Sequence, residues 1–428
     1  MIEKIAILRK YNFWDTEVKK YGFYRAEYIE KINPFLSNKL IKVLIGQRRV
    51  GKSYIMRQII YKLIKSGISA KNILYINKEF TDFDFISNNI DLDSIIKLYI
   101  NEIKPKGKVY LFFDEIQNVK SWEKTINSYS QDYTGDYEIF ITGSNSQLLS
   151  GELSSYLSGR YIQFEIFPFS FIEYSSFLNL EINKTSYLKY LNTGGIPELF
   201  NLQAEEAKRH YLSSLKDTVL LRDIIQRYKI KDAKLLEDIF VFLVNNASNL
   251  ISINNIVNYF KSRNRKTNYE TVSNYINYLK YSFLIHQVEK YNISGKETLS
   301  GTYKYYINDL SFKNYLYSGF SYGIGYKLEN LVYLQLKNAG YQVYVGYLRN
   351  KEIDFVAIKN SKTIYLQVSY IMVEEETIKR EYAALESIKD NFTKIVLSLD
   401  DVLFENKKGI KHIQVWNFHQ FLQKEIKY

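Results

Sequence analysis

The run Gly46-Gln47-Arg48-Arg49-Val50-Gly51-Lys52-Ser53 has the residue types and spacing of a phosphate cradle. Gly46 and Gly51 free the backbone to curl its N–H groups around phosphate oxygens. Lys52 is placed to reach the β- and γ-phosphates, and the Ser53 hydroxyl fills one Mg2+ position. Such a loop needs a strand to deliver it and a helix to close it, because the helix N-terminus adds partial positive charge. Both flank it: the apolar run Ile41–Ile45 precedes, and the amphipathic segment Tyr54–Ile60 follows. The predicted nucleotide contacts are therefore Gly46, Gln47, Arg48, Arg49, Val50, Gly51, Lys52, Ser53 and Tyr54.

A second chemical pair closes the run Val109-Tyr110-Leu111-Phe112-Phe113, which ends in Asp114-Glu115. A continuous apolar run belongs to a strand buried on both faces of a parallel sheet, and acids at its carboxyl end stand where α/β folds place their ligands. Asp114 is the expected Mg2+ holder, through the water shell, and Glu115 the group that orients or deprotonates the attacking water. A further strand over Glu138–Thr142 runs into Gly143-Ser144-Asn145-Ser146. Thr142, Ser144 and Asn145 are all candidate sensors of the γ-phosphate, and Asn145 is carried with the nucleotide contacts. Arg160, in Leu153–Arg160, stands where related ATPases carry an arginine finger that acts on a neighbouring subunit.

Together, GQRRVGKS (46–53), DEIQ (114–117), ITGSNS (141–146), LSGRY (157–161), PFSFIEY (168–174) and GGIPE (194–198) resemble a prokaryotic family of AAA-like P-loop ATPases. In that family an AAA_14-type domain precedes a DUF4143-type C-terminal domain. The resemblance extends through LLRDIIQR (220–227), LENLVY (328–333) and EIDFVA (352–357). It implies an additional-strand P-loop NTPase with a parallel sheet, ATP and Mg2+ as cofactors, and a homo-oligomer as one possible assembly. No guanine-reading Asn-Lys-x-Asp run is present, which also favours adenine.

Downstream, Leu235, Ile239, Phe242 and Leu243 recur at helical spacing, as do Ile253, Ile256, Val257 and Phe260, then Val272, Tyr275, Ile276 and Leu279. Three helices followed by Ser282–Val288 predict a winged-helix-like module. Its helix from about Asn268 would enter a DNA groove, and the basic cluster Lys261–Lys266 would meet phosphates. Beyond it, one helix over Lys327–Asn338, three strands, a helix and the strand Lys394–Ser398 resemble the restriction-endonuclease-like PD-(D/E)XK fold. Active members use a helix Glu, a strand Asp and an acid-x-Lys pair around Mg2+. Here Glu329 lies on the helix, Glu352 and Asp354 share one strand face, and Gln367 and Ser369 stand where the second acid and the lysine belong. A neutral amide and a hydroxyl in those places predict a nuclease-shaped domain without cleavage activity, with Lys351 or Lys362 as the available substitute cations.

The expected domains are 1–205 (ATPase with N-terminal helix and lid), 206–300 (helical linker and winged-helix-like module) and 301–428 (nuclease-like). The chain has 428 residues, 46% hydrophobic, enough for several cores. No apolar run reaches the roughly 18 residues of a membrane span, and no signal-peptide layout opens it, so a cytoplasmic protein is expected. The absence of cysteine removes disulfides, thiolate zinc and a cysteine nucleophile. The net charge of +12 suits double-stranded DNA as well as solubility, with a protein partner as the other reading. An ATP-driven switch is the leading function. An ATP-gated DNA nuclease and a non-hydrolysing ATP-binding scaffold are the alternatives.

Overall fold

The structure is a computed structural model that describes residues 2–149, 157, 159–318, 323–349 and 351–427. The chain divides into two compact units, Met1–Ile166 and Phe167–Tyr428.

In the first unit the apolar runs form β1 (Ile41–Ile45), β2 (Ile73–Asn77), β3 (Val109–Asp114), β4 (Tyr137–Gly143) and β5 (Tyr161–Glu165). All neighbours are parallel, in the order β2-β3-β4-β1-β5. Every residue of β1, β2 and β3 is buried, which accounts for their mostly apolar sequences, with Lys42 inside β1 and Asn77 and Asp114 at the ends of β2 and β3. β4 lies between the loop-bearing β1 and the acid-bearing β3, the additional-strand arrangement expected from sequence. Helices α1 (Ile2–Tyr11), α2 (Ala26–Ile32), α3 (Lys52–Lys65), α4 (Asn89–Ile103) and α5 (Trp122–Gln131) complete the unit. α3 buries Ile55, Met56, Ile59 and Ile60 in the core that contains Leu44, Phe112 and Phe140. The rings of Phe112 and Phe140 stack at 4.4 Å. One polar pair interrupts the sheet: Lys42 of β1 meets Glu138 of β4 at 2.8 Å with both side chains fully buried. Glu138 also accepts the Ser37 N–H. Register aligns the carboxyl ends, with Asn77 opposite Asp114, Phe113 opposite Ile141 and Ile45 opposite Gly143.

The second unit begins with helices, among them Ala233–Asn245, Ile253–Ser262 and Tyr269–Tyr281. It then builds an eight-stranded sheet from β6 (Leu250–Ile251), β7 (Ile285–Asn292), β8 (Glu297–Ile307), β9 (Gln342–Leu348), β10 (Lys351–Lys359), β11 (Lys362–Val368), β12 (Thr393–Ser398) and β13 (Ile410–Gln414). Their order is β13-β12-β11-β10-β9-β7-β8-β6. The Ser282–Val288 segment expected to follow the three helices enters β7, which forms a hairpin with β8 and, through Lys290–Asn292, pairs with Val345–Tyr347 of β9. Division of the chain therefore follows hydrogen bonding. It falls after β5, ahead of residue 205, and no boundary appears at 300, where the hairpin joins the C-terminal strands. Among the described residues, no helix is long and apolar enough to cross a membrane.

His286 of β7 packs between the rings of Phe167 and Tyr333 and bonds to Asn308 Oδ1 at 2.9 Å. Burial lowers its pKa to about 4. A depressed folded-state pKa means that its contribution is complete above the unfolded value near 6.5 and is lost as pH falls towards 4. The ceiling on that loss is about 3 kcal/mol. Asp309, pushed up by burial to about 6, acts in the opposite sense. Comparing wild type with His286→Gln isolates the histidine: the variant's thermal midpoint should fall less steeply between pH 6.5 and 4.5, as followed by circular dichroism.

Candidate functional site

The carboxyl ends of β1, β3 and β4 converge on the phosphate loop. Gly46 has φ +149°, and a Cβ there would lie 2.3 Å from the Ile166 carbonyl oxygen, so the turn out of β1 has no room for a side chain. Gly51, at φ +97°, occupies the left-handed region at the N-cap of α3. Between them Val50 is fully buried, and Arg49 takes φ +67°. The Lys52 ammonium is buried and donates to the carbonyls of Gly46 and Gln47, each at 3.0 Å. It lies 3.7 Å from Glu115 Oε1. Arg48 pairs with Glu79 at 2.7 Å, Gln47 is buried, and Tyr54 is half exposed with its ring beside Gly22.

Asp114 has no exposed surface. Tyr75 donates to its Oδ2 at 2.8 Å and Asn77 at 3.2 Å, while the Thr142 hydroxyl donates to Oδ1. The Ser53 hydroxyl is a further partner. Burial, reinforced by the neighbouring Glu115, pushes the Asp114 carboxyl above its ordinary range, and these hydroxyls only partly offset it. Glu115 is equally enclosed, but there the charges of Lys52 and Arg48 outweigh burial and hold the carboxyl below its usual range. Its backbone is left-handed, at φ +53°, and its N–H donates to Thr142 Oγ1 at 2.9 Å. Left-handed backbone at a non-glycine residue requires such support and concentrates at functional sites. Gln117 Nε2 donates to the Glu115 carboxylate.

These donors suit a Mg2+–nucleotide. A hydroxyl and a carboxylate with a raised pKa meet beside a loop whose lysine rests on carbonyl oxygens, and a divalent cation favours the ionised form of Asp114. Among the described residues no group of three or more carboxylates and imidazoles is arranged as a metal cage.

The structure thus brings together Gly46–Ser53, Asp114 and Glu115. Ser144 hydrogen-bonds Glu115, and Asn145 is buried in the turn beyond β4. Arg160 is not brought to the loop of its own chain. It precedes β5, whose Tyr161 is opposite Ile41 at the amino end of β1, about 15 Å of strand from the cradle. There its side chain donates to Asn127. Residues 150–156 and 158 of the segment before it lie outside the described residues. Sequence reasoning missed Arg25, a buried arginine that donates to the Val50 carbonyl at 2.9 Å. Its own N–H is received by Gln58, which also donates to the carbonyls of Tyr21 and Phe23.

In the second unit Glu329, Glu352 and Asp354 do converge, but on Lys304 of β8. Its ammonium lies 2.8, 2.6 and 3.9 Å from them. Their attraction outweighs the burial that opposes it, so Lys304 stays cationic. Burial drives the Asp354 carboxyl well up, and the Val368 N–H donates to it. Gln367 accepts the Asp354 N–H, and Ser369 donates its N–H to Leu397. Neither Lys351 nor Lys362 fills the lysine place: Lys362 donates to the Glu425 carbonyl, and Lys351 is exposed. A lysine alternating with Tyr306 in an inward-facing strand was the available signal.

Residues 38–175 match the family described as AAA domain. Residues 184–322 match the domain of unknown function DUF8612, which corrects the expected DUF4143 type. The motifs at 328–333 and 352–357 that suggested the latter lie outside the matched span and record a helix and a strand more than a particular domain. A protein of Haemophilus influenzae is 34% identical over 381 residues, covering 87% of this chain and 92% of its own. A protein of Methanocaldococcus jannaschii is 34% identical over 425 residues, covering 95% and 92%. Among solved structures, the Aeropyrum pernix Orc1 protein in complex with DNA aligns at 12% identity and a TM-score of 0.34. That alignment covers 71% of this chain and 94% of the other, a likeness too loose to bear on function.

The Thr142 hydroxyl ties both acids together. Thr142→Val should keep the fold with a loss of about 1–3 kcal/mol in urea unfolding.

Proposed function

The chain belongs to the family of its Haemophilus and Methanocaldococcus relatives, with an AAA domain in its first half, and from that premise we propose that it is a Mg2+-dependent ATPase acting as a nucleotide-driven switch. The observation that carries this reading is the buried pair Asp114–Glu115, joined by Thr142 and facing Lys52 across the Gly46–Ser53 loop. On nucleotide entry the Lys52 ammonium exchanges the carbonyls of Gly46 and Gln47 for phosphate oxygens, while the loop N–H groups and the α3 terminus receive the rest of the charge. Ser53 and Asp114 would hold the Mg2+, which when bound neutralises charge on the phosphates. Glu115, kept ionised by Lys52 and Arg48, orients and deprotonates the attacking water. Gln117 and Lys52 fix that carboxylate until phosphate draws the lysine away.

The C-terminal half binds rather than cuts in this reading. Lys304 supplies a fixed single charge among Glu329, Glu352 and Asp354, and Gln367 and Ser369 offer neither a second anion nor a mobile cation. Duplex DNA is the preferred load. Lys261, Arg263 and Lys266 are exposed just before the helix Tyr269–Tyr281, although Arg265 is drawn to Asp238 at 3.2 Å.

Phosphate release decides the first part. Lys52→Ala should lose both ATP binding and turnover, and Glu115→Gln should keep binding while turnover falls at least about 100-fold. Equal rates in the three proteins would reject the ATPase. For the second part, supercoiled plasmid with Mg2+ or Mn2+ should remain intact, and retention on duplex DNA should weaken steeply with salt. Cleavage that disappears on Asp354→Ala would instead establish a nuclease.

A further inference from the structure

A cleft of about 380 Å3 opens beside α3, between that helix, β2 and the stretch from Lys10 to Tyr21. Its volume lies within the range of small-molecule sites. Arg57, one helical turn beyond Ser53, lines it with the guanidinium 4.9 Å from the Tyr21 ring centroid and 5.4 Å from that of Tyr75. Phe80 continues the aromatic wall and stacks on Tyr11 at 4.9 Å. Lys10 and Lys19 add positive charge, against Glu17 on the lining. Asp82 nearby is engaged by Lys10 at 2.7 Å and by the Tyr11 hydroxyl. Among the described residues no carboxylate lies within ion-pair distance of Arg57; its guanidinium hydrogen-bonds Tyr75 and feels the charge of Asp114 behind that ring.

We propose that this cleft is a second ligand site, for a small organic anion whose flat apolar body lies along the aromatic wall and whose carboxylate or phosphate is taken by Arg57. Its occupancy reaches Asp114 through Tyr75. The guanidinium fork matches either anion with two parallel hydrogen bonds, and rings of this kind receive a planar body. Tyr75 is the connection, because its ring lies under Arg57 and its hydroxyl donates to Asp114 Oδ2 at 2.8 Å. An anion that draws the guanidinium off that ring changes how the hydroxyl orients the carboxylate. The communication to Asp114 rests on the nucleotide reading; the binding does not.

The test uses the full chain saturated with Mg2+ and a non-hydrolysable ATP analogue, so that the phosphate loop is filled. Calorimetry is run with phenyl phosphate and benzoate as probes and with inorganic phosphate and phenol as half-probes. At least one whole probe should saturate a single site and bind more tightly than its half-probe, and the two arms tell phosphate from carboxylate. Arg57→Met should weaken it about tenfold or more, the effect of a lost charged hydrogen bond, and Arg57→Lys should recover part of the loss. Tyr75→Phe should bind the probe while ATP turnover no longer responds to it. Absence of saturable binding by either probe would overturn the proposal, as would unchanged affinity in Arg57→Met with an unaltered thermal melt. Should the chain neither bind the analogue nor turn over ATP, probe binding that depends on Arg57 would still stand by itself.

Discussion

The first unit is organised around one buried carboxylate. Asp114 sits at the end of a strand whose every residue is out of solvent, and an ion there is tolerable only with donors on all sides. Those donors come from separate elements: Tyr75 and Asn77 from β2, Thr142 from β4 and Ser53 from the first turn of α3. Each must be in register for the others to reach, so meeting this one charge requires the strand order, the register and the start of the helix all to be right. Thr142 extends the constraint to the Glu115 N–H and holds that residue in a left-handed conformation it would not adopt unaided.

The second unit answers a similar demand differently. Two buried carboxyl groups, Glu329 and Asp354, and the partly exposed Glu352 approach one another, and their mutual repulsion is met from within by the Lys304 ammonium. A covalently attached cation cannot leave, carries one charge and brings no water to the site, whereas hydrolysis at a metal needs exchangeable positions. Here the charge is compensated from within, by a side chain of the same sheet.

Local sequence made the loop readable because Gly46, Gly51, Lys52 and Ser53 act through their own backbone and neighbouring turns. The strand ending in Asp114-Glu115 was readable for a related reason, since burial on two faces leaves a continuous apolar signature. The partners were not. Tyr75 and Thr142 meet Asp114 across 39 and 28 residues, and one tyrosine among 40 gives no hint of such a role. Lys304 escaped because a lysine in a strand usually marks the solvent face. Only the pairing of β8 beside β7, with the Glu329 helix packed on it, turns that lysine inward. A different pairing, of Lys290–Asn292 with Val345–Tyr347 of β9, ties that hairpin to the C-terminal strands, and its partners lie far apart in sequence.

The contact at Gly46 has a mechanical side. With the Ile166 carbonyl filling the space where a side chain would stand, and the Ile166 N–H bonded to the Ile45 carbonyl at 2.7 Å, the turn into the loop and the last residue of the unit behave as one stiff joint. Phe167, the first residue of the next unit, follows directly along the chain. A methyl group at position 46 would have to push the Ile166 carbonyl aside and break its strand pairing, so the entrance to the loop admits glycine alone.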